Sequence, residues 1–258
     1  MAYTTINKST DHFNTKLYTG TGSSNAQTGV GFQPDWVWIK NRDNGSLGHQ
    51  AFDVIRGVTK RIFPNDTAAQ ETDANALTAF GSDGFTVGSN TGVNQSSNNI
   101  VAWNWKAQNS QGSSNTDGSI NTTYTSVNTT AGFSISQYEG TGSNATFGHG
   151  LGVAPQMVIV KNIDATQNWF VYHQGTGATK VTYLDLNNAQ QTLSQGWNDT
   201  APTSSVVSIG TEAGTNQSGS THIAYCFAEK TGYSKFGTYT ANNSSDGPFL
   251  YTGFRPAF

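Results

Sequence analysis

The sequence is poor in the residues that stabilise small secreted proteins or that recognise nucleic acids. Its single cysteine, Cys226, cannot form an internal disulfide, which argues against a disulfide-stabilised scaffold. Only 11% of the residues are charged, and the formal net charge is −3 without a long run of either sign. Because nucleic acids and anionic membranes are bound by clustered basic side chains, neither is expected as a partner. Stability must come from packing, from assembly, or from both.

Long apolar segments are also missing. No apolar run approaches the ~20 residues that cross a bilayer, and the amino terminus lacks the basic and apolar regions of a signal peptide. We therefore expect no membrane insertion and synthesis in a cytoplasm without classical export. The 29 glycines, the 12% aromatic content and the abundance of Ser, Thr and Asn are instead typical of β-proteins that work outside cells. A virus particle released by lysis would reconcile these two features.

Side chains that could support catalysis or bind a metal are scattered. The histidines show no i, i+2 or i, i+4 pairing and have no cysteine close by, so no metal site is predicted: they are His12, His49, His149, His173 and His222. Glycan hydrolysis needs two carboxylates, and no acidic pattern is shared between the two halves of the chain. Asp53, for example, aligns with His173. We predict no catalytic residue and no cofactor.

What the chain does contain is an internal repeat. The segment 31–43 recurs at 152–164, with identical residues at Gly31, Pro34, Lys40, Asn41 and Asp43 and apolar residues at the matching strand positions. A third, incomplete start follows near the carboxy terminus, at 253–256. The repeat indicates an internal duplication with a partial third copy.

The hydrophobic pattern within each repeat predicts many short strands. Residues 36–39 and 157–160 are apolar without alternation, which indicates strands covered on both faces. Residues 100–105 and 222–227 alternate, which places aromatic side chains on one face and predicts that this face belongs to a core. Turn residues at 83–84 predict a hairpin. The pattern favours an all-β fold of two tandem β-sandwich domains, jelly-roll or concanavalin-like.

Composition sets the expected boundaries between these units. We predict an amino-terminal arm at 1–12, a first sandwich at 13–107 and a second at 132–235. The Ser/Asn/Thr/Gly-rich segment 108–131 is expected to be a linker with one short extra strand or hairpin. Residues 236–258 form the partial third repeat. They are too apolar for a solvated tail and are expected to supply closing strands to this chain or to a neighbour, unless the polypeptide is a truncated form of a longer array.

One group of residues is a candidate ligand site. It combines aromatic rings with amides and acids near expected loops, a mixture that can stack on a sugar ring and bind its hydroxyls. The alternative is that the two tryptophans are packing residues, in which case both indoles will be buried. The candidate residues are Trp169, Tyr172, His173, Trp197, Asn198 and Asp199.

The repeated motifs also resemble a known family. Tyr-Thr-Gly-x-Gly, Gly-Phe-Gln-Pro-Asp-x-Val-Trp-Ile-Lys-Asn-Arg-Asp and Val-Ala-Trp-Asn-Trp-Lys-Ala are similar to a repeat domain of marine bacteriophage and cyanophage virion proteins, and the similarity covers about residues 13–258. The resemblance implies a concanavalin-like β-sandwich at the surface of a virus particle. It assigns no chemistry to individual residues.

Three hypotheses about function follow from the resemblance and the composition. The first is a non-enzymatic tail-fibre or receptor-binding component that contacts host surface glycans. Such a component would associate with other virion proteins and could form a homotrimer. The second is a head or tail decoration protein without host contact, and the third is an enzyme that degrades surface polysaccharide.

Overall fold

The computed structural model describes residues 4–256, and these residues form an almost entirely β structure. Residues 1–3 of the expected arm and residues 257–258 of the expected third repeat lie outside the described part. The rest of the arm contains one 3₁₀ turn, Ser9–Asp11. The all-β sandwich predicted from the hydrophobic pattern is confirmed.

The amino-terminal half, residues 13–105, contains nine strands and one short helix. The hairpin predicted around residues 83–84 is present as β7 and β8. The strands are β1 (Phe13–Thr19), β2 (Asn25–Gln27), β3 (Trp36–Asn41), β4 (Gln50–Asp53), β5 (Lys60–Arg61), β6 (Glu71–Thr72), β7 (Leu77–Gly81), β8 (Gly84–Val87) and β9 (Asn99–Trp105), and the helix is α1 (Thr91–Asn94).

The carboxy-terminal half, residues 124–227, also contains nine strands. Its first strand lies in the segment 108–131, where one extra strand was expected. The strands are β10 (Tyr124–Asn128), β11 (Phe133–Glu139), β12 (Ala145–Gly148), β13 (Met157–Asn162), β14 (Phe170–His173), β15 (Lys180–Tyr183), β16 (Gln191–Thr192), β17 (Val206–Ile209) and β18 (Thr221–Phe227), and the helices are α2 (Ser194–Trp197) and α3 (Ala213–Asn216).

Each half is built on one large antiparallel sheet. The order β1-β9-β3-β4 in the first half corresponds to β11-β18-β13-β14 in the second, where β10 extends one edge and β15 and β16 the other. Trp36 pairs with Trp105 in the first sheet, and Met157 pairs with Phe227 at the matching position of the second. This shared strand order is what a duplication would produce, and the duplication itself remains our interpretation of the sequence.

Small sheets cover the outer face of each large sheet. In the first half β2-β8-β7 packs over side chains such as Val37 and Ile39, and in the second β12-β17 packs over Val158 and Val160. These four residues are fully buried. The outer faces therefore form one separate core in each half.

The inner faces of the two large sheets pack against each other. This central core contains Trp36 and Trp105 from one half and Ile159, Ile223 and Tyr225 from the other. Strands β3 and β13 are thus covered on both faces, which confirms the prediction from their unbroken apolar runs. The alternating aromatic side chains of β9 and β18 lie in the central core, as expected. The two sandwiches therefore share a third core between them.

Residues 236–256 supply no closing strand to their own chain. None of them belongs to a strand, and neither large sheet includes them. The side chains of Tyr239, Phe249, Leu250 and Tyr251 are between 53% and 89% exposed. Pairing of this segment with a neighbouring chain stays a prediction.

Candidate functional site

The repeated polar residues are used to build the fold. Asn94 Oδ1 accepts from the backbone N–H of Thr21, and its Nδ2 donates to the carbonyls of Ser23 and Gly88. Asn216 makes the corresponding bonds: Oδ1 accepts from Thr141 N–H, and Nδ2 donates to the carbonyls of residues 143 and 210. Both side chains are fully buried, so the bonds replace the water that these amides would otherwise need.

The repeated lysines act in the same structural way. Lys40 Nζ donates to the carbonyls of Asn41 and Leu47 at 2.9 and 2.7 Å, in the loop that follows β3. Lys161 Nζ donates to the carbonyl of Gln167 at 2.8 Å and also crosses to Thr67 of the first half at 3.0 Å. Each ammonium group is used by backbone carbonyls, so neither is available for a ligand or for catalysis.

A buried ion pair occupies the central core. Arg56 Nε lies 2.5 Å from Asp53 Oδ2, and both side chains are 1% or less exposed. The Tyr225 hydroxyl of the other half donates to the same carboxylate oxygen. Burial, followed by the Asp53 charge, raises the pKa of Tyr225 well above its ordinary value, so this hydroxyl stays a donor. Asp53 is therefore a structural acid, as its position at a strand end indicated.

The glycan site expected around Trp169 and Trp197 is not formed. Trp169 is fully buried, and its Nε1 donates to the carbonyl of Phe63 at 2.8 Å. Trp197 is 1% exposed, and Tyr172, whose ring contacts the Trp197 ring edge to face, is 4% exposed. Because a sugar can stack only on an accessible ring face, burial of both indoles removes this site.

The other three candidates lie at the surface near these buried rings. His173 is half-buried at the end of β14, where its Nδ1 accepts from the backbone N–H of Gly175. Asn198 and Asp199 are exposed and adopt positive φ angles of 50° and 48° directly after α2. Asn and Asp tolerate this left-handed conformation better than most residues, so the pair forms a turn.

An aromatic cleft lies at one end of the central core. Its volume is about 660 Å³, within the range of ligand pockets. Two registered rows of side chains form its walls, one from each large sheet. They are Phe13, Trp105 and Trp36 in the first sheet and Phe133, Phe227 and Met157 in the second.

Rings in the cleft contact each other both across and within the sheets. The rings of Trp36 and Phe133, from opposite sheets, are stacked with centroids 6.0 Å apart. Within the second sheet the rings of Phe133 and Phe227 are 5.0 Å apart. Trp38 also lines the cleft and is half-buried, with its Nε1 bonded to His49 Nδ1 at 2.9 Å. The site is thus held by two rigid sheets and is preformed.

Segments outside the sheets form the mouth of the cleft. One segment is 232–236, whose Phe236 ring lies 6.3 Å from the Phe227 ring. Another is the stretch of Thr252 and residues 254–256, and the third is the amino-terminal stretch with Ser9 and Thr10. Residues 237–251, which lie between these two carboxy-terminal stretches, are exposed. The tail therefore borders the cleft although it forms no strand.

Comparison with known families gives one match. The model of the family described as "Domain of unknown function (DUF7483)" matches residues 8–258. The chain belongs to the DUF7483 family. No curated protein and no solved structure matches this DUF7483 chain. Its function has to be argued from the site itself.

Two further classes of site were sought in residues 4–256 of the DUF7483 chain. No group of three or more His, Cys, Asp or Glu side chains there is arranged to hold a metal ion. No helix in this range is long and apolar enough to cross a membrane.

The aromatic cleft was missed by sequence reasoning. The sequence pattern places residues 36–39 in a strand covered on both faces, and burial of Trp36 agrees with that prediction. The signal that could have revealed the cleft was the aromatic residue at the end of β9 and its counterpart in β18, Trp105 and Phe227. Both follow the same alternation, but only the packing of the two sheets brings them together.

Proposed function

We propose that this DUF7483 chain is a non-catalytic surface component of a bacteriophage particle, a tail-fibre or receptor-binding protein that binds host surface glycan in the aromatic cleft. The observation that carries the proposal is the convergence of aromatic side chains from both large sheets on one open, preformed cavity. The resemblance of the repeat motifs to phage virion repeats supplies the particle context.

A sugar ring suits the chemistry of this cleft. Pyranose rings present an apolar face of C–H groups, which packs on aromatic rings, while their hydroxyls need donors and acceptors at the edge. Thr15 and Thr252 provide hydroxyl groups among the lining residues. Trp36, Trp105 and Phe133 are at most 7% exposed, so the ring surface open to a sugar comes from the half-buried rings of Phe13, Trp38, Phe227 and Phe236. This ring surface beside polar groups supports a saccharide over a purely apolar ligand.

The lining also supports binding over hydrolysis. Glycoside hydrolysis needs a pair of carboxyl groups about 5 to 10 Å apart at the scissile bond. Among residues 4–256, no Asp or Glu lines the cleft. The lining side chains therefore do not supply the carboxyl pair that most glycoside hydrolases use.

Two phenylalanines of the carboxy-terminal segment allow a matched test. Phe236 lines the cleft and is half-buried, whereas Phe249 is 89% exposed and is not part of the lining. Binding of purified host envelope glycan is measured by isothermal titration and by tryptophan fluorescence. Loss of one stacking ring removes about 0.5 to 1.5 kcal/mol of binding free energy, so Phe236→Ala weakens binding roughly three- to tenfold. Phe249→Ala leaves binding unchanged, and equal effects of the two substitutions would contradict the assignment of the site.

A second candidate function is a head or tail decoration protein. The exposed side chains of Phe249, Leu250 and Tyr251 favour it, because a neighbouring virion protein or another copy of the chain could cover them. In this case the free protein binds no host glycan but attaches stably to purified capsids or tails. Electron microscopy of labelled protein on intact particles shows whether the protein lies on the head or on the tail. Light scattering of the free protein measures its mass and tests the expected trimer.

A further inference from the structure

The charged groups that line the cleft are all cationic. Lys235 and Arg255 stand at the mouth, and no carboxylate side chain of residues 4–256 lines the cavity. Lys235 Nζ is paired with Glu229 Oε1 at 2.8 Å, outside the lining. Arg255 is exposed and forms no ion pair with any carboxylate of residues 4–256. One unneutralised guanidinium therefore faces solvent at the mouth of an aromatic cavity.

The cavity wall also contains a donor without an acceptor. The side chain of Trp36 lines the cleft and is 1% exposed, and its Nε1 has no hydrogen-bond partner in the described part of the chain. Because this N–H is buried with the rest of the indole, it is not accessible to a molecule in the open cleft. Among residues 4–256 the charged side chains that line the cleft are therefore the cations Lys235 and Arg255 alone.

We propose that the cleft selects an acidic saccharide, a sugar residue that bears a ring carboxylate, over its neutral counterpart. This inference rests on the proposed glycan-binding function. The apolar face of the sugar packs on the aromatic walls, and the carboxylate accepts hydrogen bonds from the Arg255 guanidinium, whose planar donors match both oxygens. Lys235 adds a second, partly neutralised cation at the same mouth.

The test uses two probes that differ only in the carboxylate. Oligomers of β-1,4-linked mannuronate and of β-1,4-linked mannose, equal in length, are titrated into the full chain at low salt. The mannuronate oligomer is expected to bind at least tenfold more tightly. Arg255→Gln reduces that preference about tenfold by weakening binding of the mannuronate oligomer. Arg42→Gln, which removes an exposed arginine outside the cleft, changes neither affinity. Added salt weakens binding of the acidic oligomer alone.

The possible results separate the two proposals. Equal affinity for both oligomers, with no effect of Arg255→Gln, overturns the acidic-sugar inference and leaves glycan binding in the cleft standing. Binding of neither oligomer counts against both proposals. A preference for mannuronate that survives Arg255→Gln but is lost in Arg42→Gln would place the anion site elsewhere and also overturn the inference.

Discussion

The hydroxyl of Tyr225 donates a hydrogen bond of 2.7 Å to Asp53 Oδ2 and thereby joins the two large sheets at the centre of the molecule. Asp53 is held in turn by Arg56, which also donates to the carbonyls of Lys60 and Ala51. All polar atoms of this group sit between apolar and aromatic side chains. A charge-assisted bond in such surroundings fixes how one sheet lies on the other, and with it the walls of the cleft.

Tyr225→Phe should destabilise the protein more than Tyr138→Phe. Both hydroxyls are buried, but Tyr225 donates to a carboxylate whereas Tyr138 donates to the neutral carbonyl of Thr215 at 2.7 Å. Urea unfolding should give a loss of about 1.5 to 3 kcal/mol for Tyr225→Phe and about 0.5 to 1.5 kcal/mol for Tyr138→Phe. Equal losses of unfolding free energy would show that the bond between Tyr225 and Asp53 stabilises the protein no more than the bond of Tyr138.

Arg56→Met should be among the most destabilising substitutions of a polar residue. It leaves the carboxylate of Asp53 buried with only Tyr225 and a backbone N–H as donors. Breaking a buried pair in this way removes about 3 to 5 kcal/mol of unfolding free energy. The control is Lys8→Met, which breaks the exposed pair with Asp11 and should leave the urea midpoint unchanged. A wild-type midpoint for Arg56→Met would contradict the role of the pair.

Asp35 should make stability depend on pH between about 4 and 6. Its Oδ2 accepts from the N–H groups of Ala107 and Asn109, but Oδ1 is buried without a partner. Burial raises the pKa of Asp35 from 3.8 to about 6. The pKa of Asp35 is higher in the folded protein than in the unfolded one, so the protonated carboxyl stabilises the fold. This contribution to the free energy of unfolding is complete below about pH 4 and is lost as the pH rises through 6.

Asp35→Asn should remove that dependence. The amide oxygen can accept the same two N–H groups, and no charge has to be buried. Between pH 4 and pH 7 the wild type is expected to lose about 3 kcal/mol of unfolding free energy, and the variant should not show this loss. Asp35→Asn should therefore be the more stable protein at pH 7. Urea unfolding at intervals of half a pH unit measures the difference. Parallel pH profiles of the two proteins would exclude Asp35 as the titrating group.

Asn94→Ala and Asn216→Ala should have similar effects. Each substitution removes a buried amide that holds a glycine-containing loop after the first long strand of its repeat, and deprives the loop's backbone groups of this hydrogen-bond partner. We expect about 1 to 3 kcal/mol of destabilisation in both cases. Hydrogen exchange should rise in residues 20–23 for Asn94→Ala and in residues 140–143 for Asn216→Ala. Effects confined to one variant would argue against equivalent roles in the two halves.

The sequence by itself determined the local structure of this protein. Unbroken apolar runs located β3 and β13, alternation located β9 and β18, and the Asp83-Gly84 turn located the hairpin, because strand formation depends on nearest neighbours and on turn chemistry. The period of two also showed which side chains share a face.

Only the tertiary structure decided what covers each face. The same aromatic pattern that predicts a core cannot tell whether the core lies within one sandwich or between two, and here it lies between them, with an open cleft at its end. The sequence left open whether Trp169 and Trp197 bind a ligand or pack, because nothing in their neighbourhood predicts that the carbonyl of Phe63 lies beside Trp169 or that Trp197 belongs to the outer core of the second half. Residues 236–256 were expected to form strands, but none forms there. Burial depends on contacts between residues far apart in the chain, and those contacts are fixed by packing and not by local pattern.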